Sequence, residues 1–230
     1  MKLSRRLQYL DRLIPNHYQH IWDCCCDHGF LGASLLQRNA APHIHFVDIV
    51  PTLMETVQQR LTHFFADAES QWSTYCLDVT QIPLNQYQGK QLVIIAGVGG
   101  DLMTEMVIAL QSKFTHLEMD FLLCPVYQQF LLRRTLIEMN MSLQHEHLIE
   151  DKGRYYEVLW VSQPSSTPQA QPIHPVGSQL WHANDAAQAK IARQYLNNTL
   201  KHYQRMLLSS PIEAQQALTH YSEVQLVPNH

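Results

Sequence analysis

Asp23-Cys24-Cys25-Cys26-Asp27-His28-Gly29 decides the fold, because it stands between a short apolar run and the start of a helix. His20-Ile21-Trp22 before it reads as a buried strand, and residues 30–38 after it read as a helix. A strand, a tight turn and a helix start make a cradle for a nucleotide-like ligand. A second apolar run, Ile44 to Val47, ends at Asp48. That acid follows Asp23 at close to the roughly 20-residue interval at which a Rossmann-type unit places its ribose-binding carboxylate. Leu92-Val93-Ile94-Ile95-Ala96-Gly97-Val98-Gly99-Gly100 then reads as a strand running into a glycine turn. Pieces of this kind in this order predict an α/β enzyme that holds a nucleoside-containing cofactor.

Working outward, Leu3, Leu7, Leu10 and Ile14 recur at helical spacing and predict an opening helix, ended by Pro15-Asn16. Further helices are predicted over 52–66, over 101 to about 111 with Asp101 as N-cap, and over 128–139. Strands are predicted over 73–77, leading to Asp78, and over 121–124, with residues 82–89 a loop. Residues 142–149 and 155–161 read as a hairpin turning through Gly153. The sum is a Rossmann-like α/β fold: a mostly parallel sheet with an antiparallel terminal hairpin, an ending familiar in methyltransferase sheets and unusual in dehydrogenases. Pro164, Pro168, Pro172 and Pro175 mark a linker, and an amphipathic helix over 183–208 with a returning one over 212–227 predicts a helical hairpin. The expected division is a cofactor-binding domain over 1–163, a Pro-rich linker over 164–180 and a helical domain over 181–230.

A hydrophobic fraction of 46% suffices for a real core. No apolar run approaches the ~20 residues of a membrane span, and no signal-peptide core opens the chain, so a cytoplasmic protein is expected. The net charge of −4 argues against a general nucleic-acid coat. The acidity belongs to residues 1–165, and the remainder is slightly basic. Three of the five cysteines are consecutive, which favours reduced thiols over disulfides. Zinc on Cys24, Cys26 and His28, completed by Cys76 or Cys124, is conceivable, but C-x₂-C and H-x₃-H spacings are absent and no metal is expected. The 14 histidines are scattered, and most read as ordinary surface residues.

A methyl donor such as S-adenosylmethionine needs several distinct contacts. Asp48 suits its ribose diol, and Asp78, after the third strand, suits its adenine amine. Its methionine part would lie against the first loop, with Asp23 and Cys25, and against the turn of Ala96, Gly97 and Gly99, where glycine allows close backbone approach. Asp48 and Asp78 taken singly are as well explained as turn caps.

The chain resembles the bacterial tRNA (adenine-N1)-methyltransferase family that acts on adenosine 22. The family's opening L-S-x-R-L is matched by Leu3-Ser4-Arg5-Arg6-Leu7. Its D-I-G-S-D-H-A-Y-L-P loop is matched at Asp23, Asp27, His28 and Leu31, with Phe30 in place of the tyrosine. Its I-A-G-M-G-G turn corresponds to Ile95-Ala96-Gly97-Val98-Gly99-Gly100, and its late E-D-G-x-x-Y-E-V to Glu150-Asp151 and Tyr156-Glu157-Val158. The match covers roughly residues 2–160, and members carry a coiled-coil-like C-terminal domain similar to the helices read here. The family's loop glycine falls on Cys25, its proline on Gly32, its ribose-binding glutamate on Asp48, and its Q-P-N on Cys124-Pro125-Val126.

The resemblance implies an S-adenosylmethionine-dependent enzyme with tRNA as its partner and no membrane. Adenine N1 is a neutral nucleophile at pH 7, so the enzyme must expose and align it. Asp27 is the candidate catalytic carboxylate and His28 the candidate positioning group. Phosphate contacts are expected from Arg6 and from Lys190, Arg193, Lys201 and Arg205, which share one side of the long C-terminal helix. Arg5 and Arg12 extend the Arg6 cluster, and Arg133, Arg134, Lys152 and Arg154 make a third. The competing readings are a methyltransferase for another RNA or a small molecule, and a non-catalytic RNA- or protein-binding descendant.

Overall fold

The computed structural model describes residues 3–164 and 171–228. Helix α1 (Arg5–Leu13) comes first, with the Ser4 hydroxyl accepting from the Leu7 N–H as its cap. There follow β1 (His20–Cys24), α2 (Phe30–Gln37), β2 (His43–Asp48), α3 (Pro51–Phe64) and β3 (Gln71–Cys76). Next come β4 (Gln91–Ala96), α4 (Gly100–Lys113), β5 (Met119–Cys124) and α5 (Gln129–Glu138). The hairpin β6 (Ser142–Asp151) and β7 (Arg154–Ser162) is followed by β8 (Gln171–Pro172), β9 (His182–Ala183), α6 (Ala186–Met206), α7 (Pro211–Ser222) and β10 (Val227–Pro228).

The main sheet runs β3-β2-β1-β4-β5-β7-β6-β8. Its first five strands are parallel, β7 joins β5 antiparallel and β6 joins β7 antiparallel, as the sequence pattern predicts. β4 and β5 are apolar almost throughout because helices cover both their faces. Alternation along β1 sends Ile21 into one core with Leu10, Leu35, Phe46 and Val57, and Trp22 into another with Val93, Val107, Phe121 and Leu132. The chain winds outward from β1 to β3 and returns to β4 on the other side of β1, so the crevice at the carboxyl ends of β1 and β4 is the topological switch point where ligands bind in such sheets.

A third core joins Phe130 and Leu148 to Val176, Leu180, Trp181, Tyr195, Tyr203 and Tyr221, which fastens α6 and α7 to the sheet. Beside it Arg133 reaches Glu157 at 2.6 Å and Glu146 at 2.7 Å, the latter an ion pair off hydrogen-bond alignment. All three side chains are fully buried. Tyr195 donates to Glu157, and the Ser178 and Gln179 N–H groups donate to Glu146.

Three details differ from the sequence reading. Helix α4 starts at Gly100 with Gly99 as N-cap, so Asp101 lies in the first turn instead of capping it. Residues 165–170 of the expected linker lie outside the described residues, while 171–172 pair with β6 and Ile173, Val176, Leu180 and Trp181 are buried. The second C-terminal helix stops at Ser222, and Val227–Pro228 pairs with β9.

Candidate active site

The turn after β1 is left-handed at Cys25 (φ 55°), Asp27 (φ 51°) and Gly29 (φ 66°). Only Gly29 takes that conformation freely, and a non-glycine residue there costs roughly 1–2 kcal/mol. Asp23 is buried beneath the turn, and its Oδ2 accepts the Gly32 N–H at 2.8 Å. Burial pushes its carboxyl up to about 7, the Gly32 bond opposes the shift and the neighbouring Asp48 adds to it. Gly32 is needed for contact: a Cβ there would stand 2.3 Å from the Phe46 ring.

Asp48 ends β2 with both carboxylate oxygens oriented by backbone, Oδ2 accepting from the Asp27 N–H at 3.0 Å and Oδ1 from the Val50 N–H at 3.1 Å. Asp78, exposed after β3, accepts the Thr80 N–H at 2.8 Å and hydroxyl at 2.7 Å on one oxygen, and these bonds hold its carboxyl below the usual range. Cys25 sits among these acids. Burial, then Asp48, Asp23 and Asp78, push its thiol up to about 12, so it stays a neutral lining group and not a nucleophile. Burial likewise raises Cys24 and Cys26.

Asp27 and His28 stand at the rim, 69% and 49% exposed, with Oδ1 and Nε2 3.6 Å apart. Helix α2 is capped by Gly29 without any side-chain bond, so Asp27 is not spent as its cap. Arg60 holds the His28 carbonyl at 2.5 Å and lies over the Phe30 ring, which fixes the backbone of the pair.

The turns after β4 and β5 interlock. The Gly97 N–H donates to the Cys124 carbonyl, the Val126 N–H to Val98, and the Gly100 N–H to Tyr127. Gly97 has φ 98°, which requires glycine. A Cβ on Gly99 would stand 2.3 Å from Tyr127 Cζ, and one on Gly100 2.3 Å from the Gln128 carbonyl oxygen. Arg6 reaches in from α1, with its guanidinium 4.8 Å above the Tyr156 ring and beside Gly97 and Cys124.

The strand ends therefore gather Asp23, Cys25, Asp27, His28, Asp48, Asp78, Ala96, Gly97 and Gly99, with Arg6 at their edge. Lys190, Arg193, Lys201 and Arg205 lie elsewhere, exposed on α6. That helix packs on the β6 side, five strand spacings from β2, or about 24 Å. Arg133 does not belong to a basic surface, being buried and paired, while Arg5 pairs with Glu150 and Arg134 with Glu138. Tyr127, 53% exposed beside Gly99, went unnoticed in the sequence because only the interlocked turns bring it to the crevice. Cys24, Cys26 and His28 do not converge as metal ligands; among the described residues, His20, His43 and His45 do.

A family described as a methyltransferase domain matches residues 3–159. The chain belongs to that family. No curated protein sequence matches the methyltransferase. Among solved structures it is similar to the TrmK protein of M. capricolum in complex with S-adenosyl-homocysteine, at 17% identity and a TM-score of 0.73, over 96% of this chain and 96% of that one. The B. subtilis m1A22 tRNA methyltransferase TrmK aligns at 20% identity and a TM-score of 0.66, over 96% of this chain and 95% of that one. A magnesium protoporphyrin IX methyltransferase from Synechocystis, with a TM-score of 0.50 and 16% identity, covers 69% of this chain and 76% of its own. At these identities the likeness establishes the fold. No described helix of the methyltransferase is long and apolar enough to cross a membrane.

Proposed function

We propose that this methyltransferase moves a methyl group from S-adenosylmethionine to N1 of an adenosine in tRNA, at position 22. The observation that carries the reading is likeness over the whole chain. The m1A22 enzyme of B. subtilis aligns with 96% of it, C-terminal helices included, whereas the porphyrin methyltransferase aligns with 69%. The strand ends fit the donor. Asp48 presents an oriented carboxylate for a ribose diol, Asp78 keeps one oxygen outside its turn for an amine, and the exposed Gly97 turn leaves backbone open to close approach.

When bound, S-adenosylmethionine supplies an electrophilic methyl on sulfur. The protein's own residues have three tasks. Asp27, paired among the described residues with His28 alone, faces the positive charge that develops on the base as N1 is methylated. Tyr127 offers a π face for an unstacked base. Arg6 stands where an anionic group of either substrate would meet it, beside the glycine turn.

The test is methyl transfer to an unmodified tRNA transcript, with the site read by reverse transcription, since a methyl on N1 blocks the pairing edge. Label in the tRNA with a stop at position 22, both lost when A22 is replaced by G, is expected. Label elsewhere, or saturable donor binding with no tRNA labelling, would overturn the acceptor. Asp27→Asn, which suits the left-handed position, should slow single-turnover transfer about 100-fold while donor affinity stays unchanged.

A further inference from the structure

Three histidines that are scattered in the sequence meet at the other end of the sheet. His20 opens β1, His43 opens β2 and His45 follows on the same face, because the register sets His20 against His43 and Trp22 against His45. One ring nitrogen from each lies within 4.8 Å of the other two. His20 Nδ1 and His45 Nε2 are already 3.1 Å apart. Metal–nitrogen bonds of about 2.0–2.1 Å in a tetrahedral site place ligand atoms roughly 3.3–3.4 Å apart. The widest pair therefore needs to close by up to about 1.4 Å, and His43, stacked on His45 at 4.1 Å, must turn out of that stack, a rotation open to a half-buried ring.

The surroundings are those of a held site. His43 Nε2 bonds the Ser73 hydroxyl at 2.9 Å, and His20 bonds the Gln88 backbone, the sort of outer partners that orient ligating imidazoles. His45 is wholly buried, stacked on Trp22 at 3.8 Å and on His43 at 4.1 Å with the edge of Tyr87 beside it, and its Nδ1 has no hydrogen-bond partner among the described residues. The nitrogen that faces His20 is Nε2, so ligation falls to that atom. Among the described residues no carboxylate enters the cluster, and Ser73, Tyr75, Tyr87 and the Gln88 backbone are polar groups around it. Burial, and for His43 and His45 their histidine neighbours, lower all three rings from the ordinary value, so they are neutral and able to ligate at pH 7.

We infer that His20, His43 and His45 form a binding site for a divalent transition metal of zinc's borderline character, remote from the methyl-transfer crevice. Three imidazoles and an open fourth position on the exposed side suit Zn²⁺. His43 and Asp48 are the first and last residues of β2, about 17 Å apart, so a metal here acts on the β1–β2 edge of the sheet and not on the reacting atoms.

Calorimetric titration of the full chain with Zn²⁺ at pH 7.5, and absorption spectra with Co²⁺ as a probe, test this. One equivalent should bind and raise the thermal midpoint, with visible Co²⁺ bands and no near-ultraviolet thiolate band. His20→Gln and His43→Gln, each verified as folded by circular dichroism, should weaken binding more than tenfold, while Cys76→Ser leaves it unchanged. Absence of binding by the wild type, a thiolate band, or affinity untouched in both histidine variants would overturn the site.

Discussion

At the junction with the C-terminal helices, Arg133 answers Glu146 and Glu157 at 2.7 and 2.6 Å, and backbone and tyrosine donors occupy the remaining carboxylate oxygens. At the strand ends, Asp23, Asp48 and Asp78 lie around Cys25, held by backbone N–H groups and a threonine hydroxyl, with no cation among the described residues bonded to them. Both regions are rich in acid, but only the first is closed. A buried charge without a partner costs several kcal/mol, so the junction had to be completed within the chain. Asp48 and Asp78 are oriented without being neutralised, which leaves their charge for a ligand, while the buried Asp23 carboxyl is raised to about 7.

The comparison breaks most visibly at its closed side. Arg133→Met should destabilise the protein by about 3–5 kcal/mol, because it strands two buried carboxylates. Urea unfolding measures this, and a loss under 1 kcal/mol would mean the junction tolerates open charge as the crevice does.

The open side should respond to pH instead. The folded-state carboxyl of Asp23 is raised to about 7 from 3.8, so the native state holds its proton more tightly than the unfolded chain. Its contribution is fully present below the unfolded value and is lost as pH rises through 7. Between pH 5 and 8 that loss is on the order of 2–3 kcal/mol. Burial lowers His45, which has the opposite slope and loses stability as pH falls below its unfolded value near 6.5. Asp23→Asn separates the two: its thermal midpoint minus that of the wild type should grow from pH 5 to 8, and a flat difference would count against an ionising Asp23.

Outside both regions, the α6 cations sharpen the contrast between charge kept for folding and charge kept for RNA. Replacing Lys190, Arg193, Lys201 and Arg205 together with Ser should lower the slope of log affinity against log salt for tRNA by about 3. Filter binding across salt concentrations reads it, and an unchanged slope removes α6 from the interface. The smallest effect belongs to Cys25→Gly, which relieves the left-handed turn but loosens the unfolded chain, and should stabilise by less than about 1 kcal/mol.

Much of the fold was legible because it rests on local signals. Short apolar runs such as Leu92 to Ile95 and Phe121 to Cys124, bounded by glycine or proline, marked the buried parallel strands, and Gly153 marked the hairpin. The place of Asp48 at the end of β2 was legible from the run before it. Arg133, Glu146 and Glu157 were not, because charged residues read as surface until the tertiary fold pairs them. The His20–His43 pairing likewise exists only through β1–β2 register, though His43-x-His45 did declare a shared face. Asp101 misled because the glycine turn folds tightly enough to start α4 one position earlier. The expected linker concealed a packed strap, for which Ile173, Val176, Leu180 and Trp181 were the available clue.

The hydrogen bonds from Val126 to Val98 and from Gly100 to Tyr127 have a consequence for how the sequence can change. With the Tyr127 ring occupying the space of any Cβ at position 99, the two positions share one volume. A library randomised at 99 alone should return glycine, whereas one that also shrinks residue 127 and lets the Asp101 carboxylate, 2.4 Å from the same Cβ, turn aside should admit alanine or serine. Variation in these two turns is thus inherited jointly: a lineage reshaping one loop for a new acceptor must rewrite the other in step.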